Sequence, residues 1–468
     1  MTRHPFLDRQ RLGRELKDTL RLAGPLVLGQ LSAVGMNVID TVLAGHLNAR
    51  TLAAVAVGTS IWSLTLVLSL GVMMAVPPSV AQLHGAGRHG AIGALLRQAL
   101  WLAGSMGVVL GLATAFGGPL LFDLIGVDPV LATDVRHFLH AIAFGAPAMA
   151  LYFALRGLSE GIGLTRPTMY FGLLGPALLA PVGYVLMYGR LGLPALGAAG
   201  AGIATALALW VQMLCMLCYI AHHPAYRHLQ PFGRRERPNP RAIGELLRIG
   251  APMGVTVFME ASLFVAVALI IGRLGADVVA SHQVAINVAS CAFMIPLGIA
   301  MATTVRVGHA VGRNDGEGVK MAGLAGFALT LAIQCVSAGI FFGFPHAIAA
   351  LYTRDAVVIA LAAQLLVLAG MFQLSDGIQV AANGALRGLK DTRTPMVITL
   401  LAYWGVGMPV GWWLTFPGGF GARGMWIGLI AGLSMAAVLL TLRFHRQAAR
   451  FHTAVDEGQR RDAAAGRA

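Results

Sequence analysis

The sequence predicts an all-α polytopic membrane protein, with twelve transmembrane helices in two parallel-repeat six-helix bundles. Three observations carry that reading. Of 468 residues, 57% are hydrophobic and only 12% are charged, about half the charge of an ordinary soluble domain. Apolar runs of roughly 20 residues, long enough to cross a bilayer as helices, recur along the whole chain. Finally, the second half of the chain repeats the first.

In chain order, residues 1–21 (MTRHPFLDRQRLGRELKDTLR) are charged and show no small-residue cleavage site behind a short apolar stretch. They read as a cytoplasmic tail and not as a signal peptide. The N-terminal bundle, 22–221, holds apolar spans at 22–44, 52–80, 93–122, 138–157, 168–188 and 196–221. A basic cytoplasmic linker, 222–248, contains RRERPNPR (234–241) and reads as the join between bundles. The C-terminal bundle, 249–443, holds spans at 249–272, 281–305, 322–345, 357–383, 395–415 and 424–443. Residues 444–468 form a second cytoplasmic tail.

Twelve spans put both termini on one side of the membrane. Of the 34 Lys and Arg, six (Arg50, Arg136, Arg190, Arg273, Arg354 and Arg423) fall in loops on the far side and all others on the terminal side. Basic loops stay cytoplasmic, so both termini are expected inside. The net charge of +14 is therefore an orientation signal. No basic patch is interleaved with aromatics, which argues against nucleic acid. The four cysteines, Cys215, Cys218, Cys291 and Cys335, lie inside apolar spans and read as small apolar filler.

The repeat has an offset of 227 residues: Pro25 matches Pro252, Gly45 matches Gly272, Leu47 matches Leu274 and Gly85 matches Gly312. Leu70-Gly71 and Met74-Ala75 match Leu297-Gly298 and Met301-Ala302. ALRGL occurs at 154–158 and again at 385–389, after which Thr165-Arg166 and Met169 match Thr392-Arg393 and Met396. A four-residue insertion around EGIG accounts for the step in register. Parallel repeats of six spans are a transporter architecture, with the substrate path between two bundles.

Of the 20 Asp and Glu, three stand inside spans: Asp40 in the first, Glu260 in the seventh and Asp376 in the tenth. Asp123, Asp128, Asp134, Asp277 and Asp355 are expected in outer loops and the rest in cytoplasmic segments. A carboxylate at membrane depth costs about 3 kcal/mol or more, and marks function by default. Each of the three sits on a polar stripe at helical spacing. Gln30, Asn37 and Thr41 accompany Asp40; Thr256 accompanies Glu260; Gln373 and Asn383 accompany Asp376; Gln283, Asn287 and Ser290 line the eighth span. The alternative is that these groups only tie helices together. For the carboxylates no Lys or Arg within the spans offers an obligatory partner, so each is expected to exchange a proton or ligate Na⁺. Shifted by 227, Asp40, Glu260 and Asp376 fall on Val267, Ala33 and Met149, so the acids are not part of the repeat.

NVIDTVLAGHL, AVAVGTSIW, VAQLHGAGR, HQVAINVASCAFMIPLGIAMATTVRVGHAVGRND and QLSDGIQVAANGALRGLKDTRTPM resemble segments of the multidrug and toxic compound extrusion (MATE) transporters, of the bacterial NorM type. The resemblance spans roughly residues 20 to 445. It implies the MATE/MOP-type fold and a cation-coupled antiporter exporting organic, often cationic, compounds from the cytoplasm by alternating access. The family's first-helix aspartate, seventh-helix glutamate and tenth-helix aspartate match Asp40, Glu260 and Asp376, with Na⁺ as a candidate metal at the last two. Relatives often carry asparagines around the proline of the fifth helix. Around Pro181, Leu179 and Gly183 stand in their place. A proton is thus expected at Asp40, because stripped Na⁺ needs several oxygen donors. The expected partners are H⁺ or Na⁺, small organic cations and the lipid bilayer, met by a monomer without cofactor.

ATP-driven export would need a GxxxxGK[ST] loop, and none is present. An intramembrane aspartyl protease would need the GxGD signature, and it leaves the repeat and Glu260 unexplained. The remaining rival is a lipid-linked precursor flippase of the same superfamily, whose cavity would be basic where this one is acidic.

Overall fold

The structure, a computed structural model, describes residues 5–118, 129–233 and 236–465. The expected outer-loop acids Asp123 and Asp128, the far end of the third span and linker residues Arg234 and Arg235 lie outside the described residues. Among the described residues every regular element is a helix. They are α1 (Pro5–Leu47), α2 (Ala49–Met73), α3 (Val76–Gly85), α4 (His89–Leu112), α5 (Pro129–Ala143), α6 (Ala146–Gly161), α7 (Arg166–Tyr188), α8 (Gly197–His222), the single turn α9 (Pro224–Arg227) and α10 (Pro240–Ile271). There follow α11 (Ala276–Gly312), α12 (Gly316–Gly343), α13 (Pro345–Ala350), α14 (Ala356–Gly388), α15 (Arg393–Leu400), α16 (Met408–Thr415) and α17 (Ala422–Ala465). A π-helical turn, Leu401–Gly407, joins α15 to α16.

Among the described residues eleven helical stretches are long and apolar enough to cross a membrane, counting α15 to α16 through the π-helical turn as one, and twelve if α5 and α6, bent by 41° across a short break, form one span. Pro147 in the first turn of α6 explains the break, since its ring suits a helix start and not an interior. Side chains set several other starts. Asn48 accepts from Thr51 N at 2.7 Å to cap α2, Asp315 from Gly318 N at 2.8 Å to cap α12, and Asp355 from Val357 N at 2.8 Å to cap α14. The two tails are not separate elements. Residues 5–21 continue α1, and the chain beyond 443 continues α17 to Ala465.

The chain divides into two compact units, one made of residues through Val27 with Val255–Ala468, the other of Leu28–Gly254. Both divisions fall inside helices, α1 and α10, two and three residues after Pro25 and Pro252, and they lie 227 residues apart. The repeat is thus visible in three dimensions. In the unit containing α2–α9, α8 packs on α5, α6 and α7, and α4 packs on α6. Its core includes Val76, Phe138, Leu139, Ile142, Leu155 and Tyr226. In the other unit α14 is central, packed on α11, α12 and α17, with Val267, Leu366, Leu386, Trp426 and Phe444 in the core.

Each unit also uses one close helix crossing at equivalent positions. In the first-half unit a Cβ on Gly71 would stand 2.2 Å from Gly254 Cα. In the second-half unit a Cβ on Gly298 would stand 3.0 Å from Val27 N. Gly298 is Gly71 plus 227, and Gly254 is Val27 plus 227. Backbone cannot retreat as a side chain can, so Gly71→Ala is expected to destabilise by about 1–3 kcal/mol. Gly272→Ala, where a Cβ meets open space, is the control. Thermal unfolding of the detergent-solubilised protein checks it; equal melting points for the two variants would refute the close crossing.

Candidate functional site

The seventh- and tenth-span carboxylates come together in the second-half unit. Glu260 on α10 is half-buried and Asp376 on α14 is buried, and each lies within the other's field. Two further groups share that field, neither of them expected from sequence. Arg387, about three turns beyond Asp376 on α14, interacts electrostatically with Glu260. Tyr403, in the π-helical turn, senses both carboxylates. The expectation that no cation stands within the spans is therefore corrected. Arg387 lies in the second ALRGL copy, where the span edge placed at 383 made it look like a loop charge, but α14 runs on to Gly388.

The site is under-supplied with internal donors and acceptors. Asp376 Oδ1, both amide atoms of Gln379 and the Tyr403 hydroxyl are buried and meet no hydrogen-bond partner within the chain. Gln379 follows Asp376 by three residues, so both lie on one face of α14. A cation with its own oxygen demand would find Asp376 Oδ1, Gln379 Oε1 and Tyr403 Oη as ligands in this neighbourhood. No three His, Cys, Asp or Glu side chains converge among the described residues, so such a cation would rest on two carboxylates and neutral oxygens.

The supporting polar residues separate into two groups. Gln373 is fully buried and committed to structure: its Nε2 donates to Ala289 O at 2.9 Å and its Oε1 accepts from Gln334 Nε2 at 2.8 Å. It ties α14 to α11 and α12. Asn383 is buried on α14. Gln283 and Asn287 are exposed on α11.

Asp40 lies in the other unit. It is buried, its Oδ2 accepts from Thr205 Oγ1 on α8 at 3.1 Å, and its Oδ1 has no hydrogen-bond partner within the chain. Thr205 escaped the sequence reading because one hydroxyl in an apolar span looks like packing. Asn37 and Thr41 are exposed, and the Thr41 hydroxyl donates to Asn37 O at 2.8 Å on its own helix. Leu179 is fully buried, and a Cβ on Gly183 would stand 2.9 Å from Leu43 Cδ1. Apolar groups fill that side.

A buried ion pair completes the first-half unit. Arg156 Nε donates to Glu160 Oε1 at 2.5 Å, Arg156 Nη2 to Gln30 Oε1 at 3.1 Å and Thr168 Oγ1 to Glu160 Oε1 at 3.4 Å. Both charged side chains are less than one-tenth exposed. Glu160 was assigned to a cytoplasmic segment because apolarity ends at 157; α6 continues to Gly161 and carries it into the interior. Where the repeat would place Asp40 and Asp376 in the opposite halves, Val267 and Met149 are buried apolar residues.

Comparison with known proteins agrees with this layout. The family model described as MatE matches residues 25–185 and 252–413, once per repeat and starting at the paired prolines. The "Probable multidrug resistance protein NorM" of Xanthomonas campestris pv. campestris is 49% identical over 445 residues, covering 95% of this chain and 96% of that protein. The "Multidrug resistance protein PmpM" of Pseudomonas aeruginosa is 43% identical over 459 residues, covering 97% and 96%. Among solved structures, "MATE in the bent conformation" superposes with a TM-score of 0.87 at 20% identity, covering 96% of this chain and 99% of that one. The "Outward-facing conformation of a multidrug resistance MATE family transporter of the MOP superfamily" gives 0.87 at 19% identity, covering 94% and 97%.

Proposed function

Because the chain belongs to the MatE family, a family of transporters and not of enzymes, we propose that it exports organic, often cationic, drugs from the cytoplasm by alternating access, coupled to entry of H⁺ or Na⁺. The names of its relatives support drug export. One observation carries the coupling: half-buried Glu260 stands in the field of buried Asp376 and also in that of the Arg387 guanidinium. With both acids ionised the cluster carries one net negative charge, which is costly in a low-dielectric interior. One monovalent cation removes it. The same acidity suits cationic cargo over the pyrophosphate of a lipid-linked precursor.

In this reading cation binding to the Glu260–Asp376 cluster biases the second-half bundle toward one facing state, and release on the cytoplasmic side resets it. The transporter works as a monomer in the bacterial inner membrane, with both termini inside. Dye efflux from everted vesicles, with ΔpH and ΔNa⁺ imposed separately, tests the coupling; efflux indifferent to both gradients would refute it.

Asp40 acts as a separate protonation switch. Na⁺ seeks several oxygens at short range, whereas the side-chain donor recorded at Asp40 is one threonine hydroxyl. A proton needs only the carboxylate, and it removes the buried charge. Asp40→Asn imitates the protonated state and is expected to flatten the pH profile of efflux while preserving cargo binding. An unchanged profile, or loss of measurable Na⁺ binding, would show the assignment to be wrong.

A further inference from the structure

Two orphaned nitrogens stand side by side in the second-half unit. His282 on α11 is buried and Trp426 on α17 fully so, with ring centroids 5.9 Å apart and planes at 67°. Among the described residues neither His282 Nδ1 nor Trp426 Nε1 meets a hydrogen-bond partner. Buried donors and acceptors are paired as a rule, since each has given up its water on folding. Here the two are complementary: an indole N–H can only donate, and a neutral imidazole accepts at one nitrogen. An N–H···N bond of about 3 Å would leave these ring centroids about 6 Å apart, the separation they already have. Rotation of the rings, without translation, is what separates the orphans from a bond.

The pair is also placed to feel the carboxylate cluster. Phe372 precedes Asp376 by four residues and Phe264 follows Glu260 by four, so each lies one turn from its acid on the same helix face. On the expected topology α10 ends and α14 begins at the outer side, which puts both phenyl rings outward of the acids. Phe264 meets Phe372 with centroids 6.1 Å apart at 68°, and Phe372 meets Trp426 at 5.7 Å and 73°. These are edge-to-face contacts. A continuous aromatic row thus runs from beside the acids to the indole and ends on the imidazole. Ser281 fixes the far end, its hydroxyl donating to Val358 O on α14 at 3.2 Å.

We propose that Trp426 and His282 form a latch, open in this conformation, that closes by a hydrogen bond from Trp426 Nε1–H to His282 Nδ1 in the opposite facing state. The inference rests on Glu260 and Asp376 being the coupling site. A cation exchanging there moves Phe372 and Phe264, and the row turns the indole against the imidazole. Trp426 and His282 are then positioning residues, acting on the cluster through the phenyl rings. Linkage makes the effect reciprocal: the factor by which the cation shifts the latch is the factor by which the latch shifts cation affinity. One neutral buried hydrogen bond sets that factor at about tenfold.

The test follows the indole N–H resonances of the full-length, detergent-solubilised protein by NMR, during a Na⁺ titration at fixed pH and a pH step in Na⁺-free buffer. The Trp426 signal, identified by its loss in Trp426→Phe, should move between two positions, the downfield one marking the closed latch. His282→Phe keeps the aromatic bulk and should hold the signal upfield throughout, with gradient-driven efflux lowered about tenfold. His282→Gln offers an acceptor again and should restore both the movement and the efflux, which a purely structural role for the ring does not predict. Glu260→Gln separates the two ways of failing. If that variant still pumps, the coupling reading has failed; if it does not pump and the wild-type Trp426 signal ignores both cations, the latch alone has failed. A Trp426 signal that moves unchanged in His282→Phe likewise overturns the latch.

Discussion

Glu260→Gln and Asp376→Asn should each abolish ion-driven efflux while leaving expression and folding intact. The reason is charge balance within one cluster. Asp376→Asn leaves Glu260 against Arg387, a pair that is already neutral and has no demand for an incoming cation, and Glu260→Gln removes the carboxylate that stands in the field of both Asp376 and Arg387. The imposed ion gradient then has nothing to act on, and accumulation of dye in everted vesicles should fall by roughly a hundredfold, near the upper end of coupling between two ligands. Arg387→Gln has the opposite expected sense. It leaves two carboxylates unbalanced, so cation binding should tighten and two cations should enter per cycle. Normal gradient-driven transport by Glu260→Gln or Asp376→Asn, with protein levels matched by immunoblot, would overturn the cluster as the coupling site.

Much of the scaffold was legible in the sequence because the bilayer imposes a one-dimensional signal. Spans are apolar runs of fixed length, and charge sorts to their ends. The in-span acids Asp40, Glu260 and Asp376 stood out for the same reason. What stayed hidden was whatever needed knowledge of a facing helix. Thr205 and Tyr403 are single polar groups in apolar runs, with nothing in their own helices to mark them. Gln373 stood on a polar stripe with Asp376, yet its amide is spent on Ala289 O and Gln334, a use that depends on α11 and α12. Glu160 and Arg387 are read as loop charges because hydropathy fades before the helices end, and Arg156, at the edge of the fourth span, is counted with them. α6 and α14 extend to Gly161 and Gly388, far enough to carry these groups inward. The repeat held the missing hint: an arginine stands at the centre of both ALRGL copies, and a residue kept in two bundles asks for a structural reason.

That arginine supplies the sharpest contrast between holding the fold and driving transport. Arg156→Met removes the counter-charge of Glu160 and strips Gln30 of its donor, leaving a carboxylate that is 2% exposed with only the long Thr168 contact. Breaking a buried pair from one side costs about 3–5 kcal/mol, which for a unit of this size corresponds to a fall in melting temperature of roughly 10 °C. Glu160→Met should cost a similar amount, since it removes the carboxylate that balances the buried guanidinium. The double variant, Arg156→Met/Glu160→Met, buries two apolar side chains of comparable length and should recover most of the loss, because the single penalties are for orphaned charge and not for lost attraction. Melting of the detergent-solubilised protein, followed by size-exclusion chromatography, reads this directly. The double variant should still couple efflux to the ion gradient, because the cluster around Glu260 and Asp376 is in the other compact unit. A double variant as unstable as either single change would show that Arg156 and Glu160 do not stabilise each other. A stable double variant that has lost coupling would place the pair in the transport cycle itself.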